Sequence, residues 1–227
     1  MSVSLIVPWR PGDAQREHVW AWCKRYWEYR CPEFELVECD SGDEPFTRGR
    51  SVNEGVEKSS GEILVLADAD TLVPYIGGAV ERAVLYDEWL VGYRAGDYYK
   101  LTETATAVLL NRGADWTLIE PVREDWAERL ATHSACVVLS RAAFERVGGY
   151  DPRFIGWGFE DGGFLCALET LFKPHERARG WAIHLWHAER DEERFGQPHA
   201  AGNRALYLRY QVAYGNVSAM RALVRER

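Results

Sequence analysis

An apolar run that ends in two closely spaced acids is the feature that most constrains the fold of this chain. Residues 63–67 read Ile-Leu-Val-Leu-Ala, and Asp68-Ala69-Asp70 follows at once. A short, continuous run of this kind is typical of a strand covered on both faces, and α/β sheets bind ligands beyond the carboxyl ends of such strands. Carboxylate oxygens at i and i+2 suit Mg²⁺ or Mn²⁺, whereas a solvated acid pair that caps the next turn is the alternative.

The first 70 residues alternate between strand-like and helix-like patterns. Apolar runs predict three strands, at 3–7, 34–39 and 63–67. Apolar residues at helical spacing predict two helices, at 13–29 with Asp13 as its N-cap and at 50–58. Because strand–helix–strand units favour right-handed crossovers, we expect an α/β fold with a mostly parallel central sheet flanked by helices. The loops that carry Arg10, Asp40 and the Asp68/Asp70 pair should then open on one edge.

The remainder of the chain is expected to complete the same domain. The patterns predict helices at 74–86, 141–147, 160–170 and 201–225, and strands at 135–139 and within 181–187. Within the terminal helix, the candidate packing residues are Leu206, Tyr210, Tyr214 and Leu223. Residues 89–120 fit no clear pattern. Because no internal repeat or linker divides the sequence, we expect one domain over 1–227.

Composition and charge argue against several classes of protein. The chain has 227 residues, of which 47% are hydrophobic and 13% aromatic, so it can bury its own core. A formal charge of −8 argues against a general nucleic-acid surface, which needs clustered Lys and Arg. No apolar stretch approaches the roughly 20 residues that span a bilayer, the start lacks a signal-peptide layout, and the five cysteines form no C-x-x-C pair. We therefore expect a soluble, cytoplasmic protein with no membrane partner.

A second acidic cluster lies in a glycine-rich segment near residue 160. Glu160 and Asp161 are adjacent, and Trp157 precedes them between two glycines. Adjacent carboxylates repel each other, so one can have a raised pKa and act as a general base. The alternative is a pair of acids placed at a helix N-terminus by the helix dipole.

Two histidines, His184 and His187, lie before a strongly charged segment. An imidazole that joins carboxylates would favour Mn²⁺. If 181–187 is a strand, the two side chains face opposite sides, and only one of them reaches a given metal. A structural hydrogen-bonding role is the alternative.

The order of these motifs resembles the metal-dependent glycosyltransferases of the GT-A fold. It is most similar to the β-1,4-galactosyltransferase type (family 7) and the family 2 type, with their bacterial and phage relatives. The resemblance spans roughly residues 3–195. It is carried by Pro8-Trp9-Arg10, by Phe46-Thr47-Arg48-Gly49-Arg50 with Asn53, by Asp68-Ala69-Asp70, by Trp157-Gly158-Phe159-Glu160-Asp161, and by His187.

The resemblance implies transfer of a sugar, with inversion, from a nucleotide-diphosphate donor to an acceptor hydroxyl. The donor would be a UDP-sugar, the cofactor Mn²⁺ or Mg²⁺, and the acceptor a glycan or other hydroxyl compound. It also implies a nucleotide-binding half at 1–75, an acceptor and catalytic half at 130–195 and a helical tail at 200–227.

The same resemblance implies a role for each site residue. Asp70 and His187 would bind the metal, with His184 as the alternative to His187 and Asp68 as a helper that contacts ribose or a metal-bound water. The nucleotide sugar would be held by Pro8, Trp9, Arg10, Asp40, Arg48 and Asp68. Asp161 would be the general base, Glu160 would orient the acceptor, and Trp157 would stack on it.

Other functions remain open on the residues alone. A retaining glycosyltransferase shares the fold. A nucleotidyltransferase also uses acids at strand ends, although the segment after the first strand is a poor match for a glycine-rich phosphate loop. A non-catalytic carbohydrate-binding protein would explain the ten tryptophans but has no need for the acid and histidine clusters. A base in nucleic acid is the alternative acceptor.

Overall fold

The chain forms a mixed α/β structure. The computed structural model describes residues 1–112, 127–130, 134–188 and 198–227. Within these ranges the strands are β1 (Val3–Pro8), β2 (Glu35–Cys39), β3 (Ile63–Ala67), β4 (Thr71–Leu72), β5 (Leu90–Val91), β6 (Tyr98–Leu101), β7 (Ala127–Leu130), β8 (Cys136–Ser140), β9 (Glu176–Arg177) and β10 (Ala182–His184). The helices are α1 (Ala14–Arg30), α2 (Arg48–Lys58), α3 (Ile76–Tyr86), α4 (Glu103–Leu110), α5 (Arg141–Arg146), α6 (Glu160–Leu171), α7 (Ala200–Ala213) and α8 (Val217–Arg225).

The described part of the chain contains a central sheet of six strands in the order β2-β1-β3-β8-β5-β9. β1 pairs in parallel with β2 and β3, whereas β8 runs antiparallel to both β3 and β5. The expected α/β class and the central sheet with its helices are confirmed, and the sheet is mixed. The direction of β8 did not follow from the sequence. Several elements lie between β3 and β8, so the rule for a single strand–helix–strand crossover does not apply to this pair.

The central strands are buried on both faces, which explains their continuous apolar character. Ile63, Val65 and Ala67 of β3 belong to one hydrophobic cluster, and Leu64 and Leu66 belong to another. Because successive strand residues point to opposite faces, the two clusters lie on the two sides of the sheet. The first cluster contains the buried tryptophans of α1, and the second contains apolar residues of α2, α5, α6, α7 and α8.

A second sheet extends the end of β3. Its order in the described ranges is β4-β10-β6-β7, with β10 antiparallel to β4 and parallel to β6. β4 begins only four residues after β3 ends, and its Thr71 lies opposite His184 of β10. Pairing in this sheet therefore places the end of β10 next to Asp68 and Asp70, the acids that follow β3.

Several predicted elements are confirmed with small changes in their bounds. α1 begins after Asp13, whose side chain accepts a hydrogen bond from the backbone N–H of Arg16. The helix predicted at 50–58 begins two residues earlier, at Arg48, and the strand predicted at 63–67 matches β3. Residues 89–112 form β5, β6 and α4, and the rest of the unassigned span 89–120 lies outside the described residues.

The predicted terminal helix is divided into α7 and α8. Gly215 has a φ of 75°, a left-handed conformation that ends α7, and Asn216 caps α8 by accepting a hydrogen bond from Ala219 N–H. Of the candidate packing residues, three are buried, namely Leu206, Tyr210 and Leu223. Tyr214 is 54% exposed, because the break turns it away from the core.

Among the described residues, no helix combines the length and the apolar character needed to cross a membrane.

Candidate active site

Asp70 and two histidines form a compact cluster beyond the end of β3. Antiparallel pairing places His184 opposite Thr71, and the backbone N–H of Leu185 donates to the carbonyl of Asp70 at 2.8 Å. Nε2 of His184 then lies 3.5 Å from Oδ1 of Asp70, and Nε2 of His187 lies 3.3 Å from Oδ2. The fold thus presents one carboxylate and two imidazoles to a common point.

The donor atoms of this cluster suit a divalent cation. Ligand atoms of Asp70, His184 and His187 all lie within 4.8 Å of one another. Nδ1 of His184 is buried and has no hydrogen-bond partner among the described residues, so it is not committed to a structural contact. One carboxylate with two imidazoles fits Mn²⁺ better than Mg²⁺, which prefers oxygen ligands alone.

The cluster also shifts the pKa values of its own members. Burial alone would raise the pKa of Asp70, but the two imidazoles outweigh that effect and lower it. The hydrogen bond with Asp70 raises the pKa of His187, whereas burial lowers the pKa of His184. Metal binding requires an ionised carboxylate and neutral imidazoles, and the lowered pKa values of Asp70 and His184 favour these forms.

The expectation that His184 and His187 face opposite sides is wrong. β10 ends at His184, so the two-residue alternation of a strand does not extend to His187. Both rings therefore approach Asp70, and His184 joins His187 rather than replacing it. Asp68 lies outside this cluster, because its carboxylate is turned to Arg48.

Arg48, in the first turn of α2, bridges the two acidic segments. Its Nε donates to Oδ1 of Asp68 at 2.9 Å, and its Nη1 donates to Oδ1 of Asp161 at 2.6 Å. The residue is only 5% exposed, and a buried guanidinium requires such partners. Burial lowers the pKa of Arg48, but Asp161 and Asp68 outweigh it, so the charge is retained. The structure therefore places Arg48 between Asp68 and Asp161, and its expected contact with the nucleotide sugar stays a prediction.

Asp68 differs from Asp70 in its electrostatic surroundings. Burial, together with the charges of Asp70 and Asp161, raises the pKa of Asp68 to about 6 despite the opposing effect of Arg48. Its side chain remains about one-third exposed, at 32%. Asp68 therefore lies between Arg48 and the cluster of Asp70, His184 and His187.

The acids Glu160 and Asp161 open α6 in different directions. A left-handed turn at Phe159, with φ 71°, and at Gly158, with φ 109°, sets the start of the helix. Glu160 is 2% exposed, and its Oε2 accepts a hydrogen bond from the backbone N–H of Gly158 at 2.6 Å. Burial and the charge of Asp161 raise the pKa of Glu160 to about 8. Glu160 therefore holds the preceding loop through the hydrogen bond with Gly158. Trp157, in the same loop, is 47% exposed to solvent.

The expected nucleotide-side residues meet at the ends of β1 and β2. The parallel register places Pro8 beside Cys39, so the residues that follow each strand are neighbours. Arg10 donates from Nε and Nη2 to the two carboxylate oxygens of Asp40, both at 2.7 Å. Trp9 is half-buried. The structure therefore brings these residues together as one group.

Tyr150 was not identified as a site residue from the sequence. It follows Gly148 and Gly149, which have φ values of 74° and 68°, and it is buried. Its hydroxyl donates to Oδ1 of Asp161 at 3.1 Å. The glycine pair signalled a sharp turn, but nothing in the sequence showed that this turn faces residue 161.

A segment of the chain matches a known family. Residues 124–167, which include Trp157, Glu160 and Asp161, match the family model described as the N-terminal domain of galactosyltransferase. A sequence search of curated proteins found no significant match.

Solved structures with a similar fold include several glycosyltransferases. Drosophila β1,4-galactosyltransferase 7 in complex with xylobiose is 14% identical with a TM-score of 0.47, and the alignment covers 78% of this chain and 64% of that protein. GalNAc-T7 with UDP, GalNAc and Mn²⁺ is 11% identical with a TM-score of 0.53, covering 99% of this chain and 54% of the other. The chain thus spans less than two-thirds of either protein.

Glucosyl-3-phosphoglycerate synthase from Mycobacterium tuberculosis, solved with Mn²⁺, UDP-glucose and phosphoglyceric acid, is 13% identical with a TM-score of 0.52. That alignment covers 95% of this chain and 80% of the synthase. GalNAc-T7 and this synthase, whose TM-scores exceed 0.5, share the fold of this chain. These two structures show that the chain has the GT-A fold, and the galactosyltransferase family model matches only residues 124–167.

Proposed function

We propose that this protein is a metal-dependent, inverting glycosyltransferase that moves a sugar from a UDP-sugar to an acceptor hydroxyl. The observation that carries the proposal is the Arg48 bridge, which contacts both Asp68 and Asp161. A donor held beside Asp68 and Asp70 would then lie close to a carboxylate that can accept a proton. The donor class is taken from the proteins of this fold that were solved with UDP or UDP-glucose.

Asp70, His184 and His187 would hold the divalent cation, for which Mn²⁺ is the best fit to the donor set. When bound, such a cation supplies positive charge that stabilises a departing diphosphate. Arg10 and Asp40 form the adjoining group that we assign to the nucleotide, together with Pro8, Trp9 and the exposed edge of Asp68.

Asp161 would take the proton from the acceptor hydroxyl as that oxygen forms a bond to the anomeric carbon. The bond from this carbon to the diphosphate oxygen breaks, and the electron pair leaves with the nucleoside diphosphate. Attack from the face opposite the leaving group inverts the configuration. Trp157 would offer its open ring to the acceptor, and Glu160 would act on the acceptor indirectly, by holding the loop that carries Trp157.

The first test is donor binding followed by turnover. A matching nucleotide sugar with Mn²⁺ should raise the unfolding temperature, since a ligand at a hundredfold excess over its dissociation constant adds about 2.7 kcal/mol of stability. With that donor, Asp161→Asn should lower kcat by about 10²-fold or more while Mn²⁺-dependent nucleotide binding is retained.

Asp87→Asn is the matched control, because Asp87 lies at the end of α3 with φ 50°, a conformation that Asn accepts. It should leave turnover unchanged. Normal transfer by Asp161→Asn would contradict the assignment of the base, and a flat thermal response to every nucleotide sugar would contradict the proposed activity. NMR of the fresh product anomer tests inversion directly.

A further inference from the structure

The side chain of Tyr150 is fixed from three directions. Its backbone N–H donates to Oδ1 of Asn53 at 2.9 Å, and its carbonyl accepts from Nδ2 of the same Asn53 at 2.8 Å. Its ring stacks on Phe164 of α6, with centroids 4.2 Å apart and planes 16° from parallel. Because backbone and ring are both held, the hydroxyl has one position to occupy.

That hydroxyl meets Arg48 and Asp161 together. Nη1 of Arg48 donates to the Tyr150 oxygen at 3.3 Å, and the Tyr150 O–H donates onward to Oδ1 of Asp161 at 3.1 Å. Nη1 of Arg48 also donates directly to that same Oδ1, at 2.6 Å. Burial raises the pKa of Tyr150, so its hydroxyl keeps the proton that it donates.

Both donors therefore converge on one oxygen of the carboxylate. Among the described residues, none donates a hydrogen bond to Oδ2 of Asp161, and the Asp161 side chain is 24% exposed. A carboxylate with one oxygen engaged twice cannot rotate freely, so its second oxygen keeps a fixed direction. Such fixed placement of a reacting group is a large part of catalytic rate.

We infer that Tyr150 is a positioning residue which, with Arg48, holds Oδ1 of Asp161 and leaves Oδ2 as the oxygen that takes the acceptor proton. This inference rests on the proposed function, since it names how the base of that reaction is aimed. Tyr150 acts through Asp161 and is not itself assigned a contact with donor or acceptor.

The decisive variant is Tyr150→Phe, which removes the hydroxyl and keeps the ring that stacks on Phe164. With the donor and Mn²⁺ that give wild-type turnover, kcat should fall by about ten- to a hundredfold, because a hydrogen bond to an ionised group is lost. The KM for the donor should change by less than about twofold, since substrate binding is not the interaction removed.

Tyr210→Phe is the matched control. Tyr210 is equally buried, its hydroxyl donates to Oδ2 of Asp151 at 2.8 Å, and it accepts from Nη2 of Arg227 at 2.8 Å. This variant should lose a similar amount of stability, measured by urea unfolding, yet keep the wild-type kcat. An equal loss of kcat in the two variants would show that a damaged fold, not the position of Asp161, lowers the rate, and would overturn the inference.

A double-mutant cycle separates the two roles that Tyr150 could have. If Tyr150 acts only by placing Asp161, adding Tyr150→Phe to Asp161→Asn should leave the residual turnover of Asp161→Asn unchanged. A further drop, or a wild-type kcat in Tyr150→Phe alone, overturns the inference and leaves the proposed function standing. If the wild-type protein transfers no sugar, the proposed function fails, and the inference falls with it.

Discussion

Glu160 and Asp161 are neighbours in the sequence, but they face different surroundings. Consecutive helical residues point about 100° apart, so the left-handed turn at Phe159 sends Glu160 into the core and Asp161 toward Arg48. The acid pair itself was evident from the sequence. Which acid is buried was not, because that depends on the backbone turn before the helix.

The burial of Glu160 has a consequence for stability. Its ordinary pKa of 4.5 rises to about 8 in the folded protein, so the folded state holds a proton that the unfolded chain releases. The contribution to stability is therefore complete below about pH 4.5 and is lost as the pH rises toward 8. Glu160→Gln cannot release this proton, so the variant should not lose stability in this way. The difference in unfolding free energy between the variant and the wild type should therefore rise on the order of 1 kcal/mol per pH unit between about pH 5 and 8, in favour of the variant.

Urea unfolding of both proteins at pH 5, 6.5 and 8 measures the effect. Glu57→Gln on the exposed side of α2 is the control and should follow the wild type at every pH. Parallel curves for Glu160→Gln and wild type would show that Glu160 titrates normally.

At the scale of elements, prediction succeeded where the apolar pattern was long or unambiguous. The 17 residues of α1 repeat apolar side chains at helical spacing after an Asp cap, and all five residues of β3 are apolar. β10 could not be delimited in this way, because its three residues are set by pairing with β4 and β6. The break between α7 and α8 was signalled by Gly215, but only inside an otherwise helical pattern.

Helix packing against the sheet gives a test at this scale. A Cβ added at Gly55 of α2 would lie 2.7 Å from Cγ2 of Ile6 and 2.7 Å from Sγ of Cys39, so helix and sheet would have to separate. Gly55→Ala should therefore lose about 1–3 kcal/mol of unfolding free energy. Gly78→Ala in α3 meets no atom within 4 Å and should gain up to about 1 kcal/mol.

Thermal or urea unfolding of the two glycine variants provides the comparison. The opposite signs are the important result, because both changes add one methyl group within a helix. A stable Gly55→Ala protein would mean that α2 does not pack closely on β1 and β2.

At the scale of the whole molecule, the site is assembled from segments far apart in the chain. The individual motifs could be predicted, since each has a distinctive composition at a strand or helix end. Their contacts could not, because the Arg48 bridge and the approach of His184 to Asp70 depend on pairings across the fold. Tyr150 was missed for the same reason.

A bound cation should therefore act as a cross-link between the ends of β3 and β10. Mn²⁺ should raise the unfolding temperature, and a chelator should reverse the effect, since the three proposed ligands converge only in the folded state. His187→Gln and His184→Gln should each raise the Mn²⁺ concentration that gives half of the full thermal stabilisation by about tenfold or more.

Thermal unfolding across a Mn²⁺ titration measures this requirement. His175→Gln is the control, because His175 lies 2.5 Å from Oε1 of Glu169, outside the cluster. The same Mn²⁺ midpoint in all three histidine variants would contradict the assignment of the ligands.

The Arg48 bridge also bears on how the chain is made. Arg48 and Asp161 are 113 residues apart, so at about 5–20 residues per second synthesis of the second partner trails the first by roughly 6–23 seconds. During that interval the Arg48 guanidinium, which is buried in the folded protein, has Asp68 but not yet Asp161 as an ion-pair partner. The N-terminal strands and helices can form early, yet we expect this corner to stay open to water until residue 161 leaves the ribosome, which makes closure of the site a late step of biogenesis.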